Sequence, residues 1–93
     1  MEGIETVTIS TPGGPSVTLT AEQFRRAPEQ FAEVARAEKI VRESGVASIS
    51  RVQREMGLGY NAAARLIEAL ELLGVVTAPD AAGKRSIVQR GSA

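Results

Sequence analysis

Asn61, Arg65 and Glu68 follow one another at steps of four and three residues in the run Gly59-Tyr60-Asn61-Ala62-Ala63-Ala64-Arg65-Leu66-Ile67-Glu68. Wound into a helix at about 100° per residue, they share one narrow arc. These side-chain types suit nucleobase edges: Asn pairs with adenine, Arg with guanine O6 and N7, and Glu accepts from cytosine N4. Ala62 and Ala64 flank the stripe, so that side stays slim enough to enter a groove. The opposite side gathers Ala63, Leu66, Ile67, Leu70 and Leu73, a face to bury. The plainer reading is a solvated helix face in which Arg65 and Glu68 form an i,i+3 ion pair.

Such a helix, from about Tyr60 to Leu73 and ended by Gly74, needs neighbours that cover its apolar side and leave the stripe outside. Ser48 or Ser50 caps a helix from about Ile49 to Met56, with Ile49, Val52 and Met56 inward. The turn Gly57-Leu58-Gly59 joins the two, which makes a helix-turn-helix. Val75-Val76-Thr77 and Ser86-Ile87-Val88 are β-prone, and the loop from Ala78 to Arg85 joins them as a wing with a basic tip. Upstream, Pro28 opens a helix to about Ser44, with Phe31, Val34, Ala37 and Val41 at helical spacing and Gly45 at its end. Val46-Ala47-Ser48 is open to a short strand.

At the N-terminus, Ile4 to Ser10 and Ser16 to Thr20 flank Thr11-Pro12-Gly13-Gly14-Pro15, a hairpin pattern. Thr20-Ala21-Glu22-Gln23 is a capping box that starts a short helix through Arg26. Gln89 to Ala93 is expected to fray. The fold class that follows is mainly α (α+β): a winged helix-turn-helix with an N-terminal β-hairpin. Residues 1–27 are expected to hold the hairpin and short helix, and residues 28–90 the winged helix-turn-helix. An isolated hairpin is marginal, so it is expected to pair edge-to-edge with the wing sheet or with a second copy. Leu72 lies in line with the polar stripe, where it is either exposed or packed on the hairpin or another subunit.

Around the reading helix, Ser48, Ser50, Arg51, Gln53 and Arg54 sit at or near the start of the preceding helix, where amides, hydroxyls and guanidiniums grip phosphates. Lys84 and Arg85 extend that role to the wing. Tyr60 reads as a packing residue whose hydroxyl reaches a phosphate. Caps, solvated charges and turn residues are the plain alternatives.

The 93 residues carry no net charge, but residues 1–35 sum to −3 and residues 36–93 to +3. That modest excess predicts few phosphate contacts, and hence two or more copies side by side. With no Cys and no His, the chain offers no disulfide, no thiolate zinc site and no histidine base. There is no Gly-x-x-x-x-Gly-Lys-Ser/Thr loop or paired-carboxylate motif, so a binding protein without cofactor or metal is expected rather than an enzyme. No run nears the roughly 20 apolar residues of a membrane span, and no basic-then-apolar leader is present. A cytoplasmic protein without membrane contact is the expectation.

Ala47-Ser48-Ile49-Ser50-Arg51-Val52-Gln53-Arg54, Gly59-Tyr60-Asn61, Ala63-Ala64-Arg65 and Ile67-Glu68 resemble the γ domain of FtsK/SpoIIIE DNA translocases. Gly74-Val75-Val76 and Gly83 to Val88 fit that family's helix end and wing. The resemblance implies a winged helix that reads short guanine-rich double-stranded DNA and contacts a recombinase. It places base reading on an Asn, an Arg four residues on and a Glu three further, here Asn61, Arg65 and Glu68. Ala62 stands where a basic residue is frequent in the family, which removes one phosphate contact. Beginning at Met1 with its own hairpin, the chain reads as a small stand-alone DNA-binding protein or transcriptional regulator of a mobile element. The rival reading is a winged-helix protein-interaction module acting on a recombinase, translocase or other host complex.

Overall fold

Four α-helices and a two-stranded antiparallel hairpin form the described residues, 6–10 and 16–88, of this computed structural model. The expected Pro/Gly turn at 11–15, the start of the first β-prone run and the tail from Gln89 lie outside them. Strands β1 (Val7–Ser10) and β2 (Ser16–Leu19) pair in the register Val7↔Leu19, Thr8↔Thr18 and Ile9↔Val17. The period of two sends Ile9 and Leu19 inward, both buried, and leaves Thr8 and Thr18 in water.

Helix α1 (Ala21–Arg26) begins at the anticipated capping box: Thr20 Oγ1 accepts from the Gln23 N–H, and Gln23 Oε1 from the Thr20 N–H. Pro28 opens a 3-10 turn, Pro28–Phe31, which leads into α2 (Ala32–Ser44). Phe31, Val34, Ala37 and Val41 are all buried, as the spacing required.

Helices α3 (Ile49–Met56) and α4 (Tyr60–Leu72) make the helix-turn-helix. At the turn, Gly57 has φ +67°, a left-handed geometry that a Cβ disfavours. Both the Gly57 and Leu58 N–H groups return to Gln53 O, which closes α3. Val52 and the α4 residues Ala63, Leu66, Ile67, Ala69 and Leu70 fill the centre of one core with Ile9, Leu19, Val75 and Val76.

Three local expectations change. Val46–Ser48 joins no strand among the described residues; the Ser44 hydroxyl accepts the Val46 N–H at 3.3 Å and shares its one proton between the Val41 and Val46 carbonyls, each at 3.3 Å. The wing holds a single bridge, Val76↔Ile87, rather than two strands. Its ladder is half kept at Thr77: the N–H donates to Ser86 O at 2.9 Å, but the hydroxyl accepts the Ser86 N–H at 3.0 Å and the carbonyl accepts from Arg85 at 3.2 Å. Among the described residues the N-terminal hairpin does not extend the wing sheet; β1 packs along α4. That contact explains why Ala69 is buried and Leu72 half-buried. Ile9 and Leu19 of the hairpin thus lie in the same core cluster as the buried residues of α2, α3 and α4. Among the described residues no helix is long and apolar enough to cross a membrane.

Candidate nucleic-acid interface

Helix α4 keeps its polar stripe outside over its first two turns. Asn61 and Arg65 are exposed, while Ala63, Leu66 and Ile67 behind them are buried. Arg65 Nη1 donates to Glu68 Oε1 at 2.7 Å, the i,i+3 pair of the plainer reading. The side chains stay 51% and 38% exposed, so the pair orients Arg65 without removing it from the surface. Further along, Glu68 and Leu72 share a shallow notch with Thr6, Val7 and Glu71. The hairpin thus bounds the stripe at its C-terminal end, one of the alternatives left open for Leu72.

A second concavity runs between α3 and the wing. Ser48, Ser50, Tyr60, Lys84 and Arg85 line it, five of the residues singled out by type and position. Arg51, Gln53 and Arg54 lie on α3 but line neither concavity. Ser48 is the N-cap, accepting the Arg51 N–H at 3.1 Å, and the Arg51 guanidinium lies 3.4 Å from Glu55. Arg54 is exposed and Gln53 half-buried.

Two expectations need correction. Tyr60 is not a packing residue: it is 57% exposed, because it precedes the first buried position of α4 and stands at the rim of this groove. Arg85 is turned inward, its side chain 13% exposed, with Nη1 2.6 Å from Glu71 Oε1. Of the two wing cations, only Lys84 is exposed, with no ion pair among the described residues. The sequence reading missed Arg42 and Val46, which complete the groove wall. Arg42 donates to Val88 O at 3.4 Å and ties α2 to the returning arm of the wing. Its only signal was a basic residue in the last turn of a helix.

The wing tip is organised by Asp80, whose carboxylate accepts from the Ala82 and Lys84 N–H groups, both at 2.9 Å. The Lys84 amide foremost, then the Ala82 amide, holds this carboxyl below the usual carboxylate range. A depressed folded pKa adds order above the ordinary value, lost as pH falls through the lowered one. Acidification is therefore expected to loosen the tip only below the ordinary Asp titration. An NMR titration of the Ala82 and Lys84 amides checks this, and a midpoint at the ordinary Asp value would contradict it.

Two packed helices, a tight glycine turn and a bridged wing beside an exposed polar stripe define a winged helix-turn-helix. The chain belongs to the FtsK gamma domain family, which matches residues 30–90. Over 55 residues it is 53% identical to the DNA translocase FtsK of Pseudomonas syringae pv. tomato, covering 59% of this chain and 7% of that protein. The Rickettsia typhi DNA translocase FtsK is 47% identical over 53 residues, 57% of this chain and 7% of the relative. The Vibrio parahaemolyticus DNA translocase FtsK is 38% identical over 80 residues, 86% of this chain and 8% of its own length. The chain thus spans less than a tenth of these relatives.

Proposed function

We propose that this chain is a sequence-specific double-stranded DNA-binding module whose helix α4 enters the major groove. The observation that carries the reading is the pairing of exposed Asn61 and Arg65, one turn apart, with a buried face directly behind them. Rigid seating matters because a base-reading side chain discriminates only when its helix cannot roll. Arg65 takes guanine, Asn61 takes adenine or another base edge, and Glu68 accepts from cytosine or holds Arg65. Membership of the FtsK gamma family, whose named relatives are DNA translocases, supports the same reading. Ser50, Tyr60 and Lys84 then meet phosphates beside the groove, with Arg51, Gln53 and Arg54 further along α3.

Selection of preferred duplexes from a randomised library, at moderate salt, tests this reading. Recovery of a guanine-containing consensus supports it, and its symmetry reports how many copies bind together. Uniform recovery of all sequences refutes it. Within that binding mode, Lys84→Ala should weaken every duplex alike and lower the salt slope by about one. Fluorescence anisotropy at several salt concentrations measures this. A loss confined to one sequence would instead place Lys84 on a base.

A further inference from the structure

We infer that Arg85 and Glu71 form a positioning pair that sets the wing against the reading helix, so that Arg85 governs DNA binding without touching DNA. The inference rests on the DNA-binding reading above.

The wing is weakly built on its own. It holds one bridge, and at the next position the Thr77 N–H keeps Ser86 O at 2.9 Å while the reciprocal bond is lost, the Ser86 N–H and the Thr77 carbonyl turning to side chains instead. One guanidinium nitrogen of Arg85 spans this gap. Nη1 reaches Glu71 Oε1 on α4 at 2.6 Å and Thr77 O at 3.2 Å. It thereby links the reading helix to both arms of the wing. The Arg85 side chain is 13% exposed, less than any other ion-paired side chain among the described residues, while Glu71 is 40% exposed. Lys84, its neighbour, points into water. Adjacent cations thus divide the work, with one outward toward a phosphate and one inward toward α4. Geometry rather than charge is then what Arg85 contributes.

Removing Glu71 separates the alternatives by sign. Loss of an acid near DNA raises affinity by charge alone, and more so if it frees a guanidinium for a phosphate. A positioning pair predicts the reverse. Glu71→Ala and Arg85→Ala should each weaken binding to the selected duplex roughly three- to tenfold, the double variant being no worse than either, as for residues in contact. The salt slope should stay unchanged in all three, since no phosphate contact is lost. Hydrogen exchange without DNA should quicken at the Thr77, Ser86 and Val88 amides in both single variants, while α2 and α4 stay protected.

Tighter binding by Glu71→Ala, or a slope lowered by about one in Arg85→Ala, overturns the inference and makes Arg85 a phosphate contact. Unaltered wing exchange overturns it as well. If the parent chain binds no duplex while its wing exchange responds as described, the DNA-binding reading fails but the structural tie stands.

Discussion

Arg65→Ala is expected to abolish preference at one base pair while leaving the fold intact. A bidentate arginine–guanine contact is worth about 1–3 kcal/mol of discrimination, or roughly 5- to 150-fold between the preferred duplex and one changed at that pair. The fold should be indifferent. Arg65 is exposed, its only ion pair among the described residues is with Glu68 on the same helix face, and exposed pairs of this kind add little stability. Its buried neighbours Leu66 and Ile67 are untouched. Competition binding against duplexes changed one pair at a time measures the effect, with thermal unfolding as the control for folding. Discrimination should fall at one position only. Glu68→Ala should fall in the same direction but less far, because Arg65 remains present without its 2.7 Å partner. Equal losses on every duplex would place Arg65 on the phosphate backbone, and the stripe would no longer be a reader.

What the sequence discloses follows the reach of each force. The α4 stripe is legible because helical periodicity is local: the spacing that gathers Leu66, Ile67 and Leu70 also puts Asn61 and Arg65 outside. The Thr20 cap is legible for the same reason, since donor and acceptor lie three residues apart. Arg85 is not. Its partner Glu71 is 14 residues away, and a Lys-Arg wing tip reads identically whether one cation faces inward or both face water. Tyr60 fails in the opposite sense: an aromatic at a helix start suggests packing, yet the core begins at Ala63. The short third strand fails because the Ser44 side chain offers the Val46 N–H a local partner in place of a neighbouring strand. The burial of Ala69 and the half-burial of Leu72 depend on where the hairpin docks, which no local pattern encodes.

That docking makes the second large prediction. Ile9→Ala is expected to destabilise the whole chain by about 2–5 kcal/mol, the usual cost of truncating a buried Ile. A domain of this size holds roughly 5–15 kcal/mol in all, so the urea midpoint should drop sharply. Ile9 is 3% exposed and lies in β1, the strand packed along α4. Thr8, next to it but exposed, supplies the control, and Thr8→Ala should stay within about 0.5 kcal/mol of the parent chain. The contrast matters because Ile9 falls outside residues 30–90, the segment matched to the family. If the hairpin were an appendage, both variants would unfold at the parent midpoint, with α2, α3 and α4 unaffected. If it belongs to the core, removing three carbons from β1 loosens the packing behind the reading stripe, and DNA discrimination fades in Ile9→Ala although every polar side chain on α4 is retained.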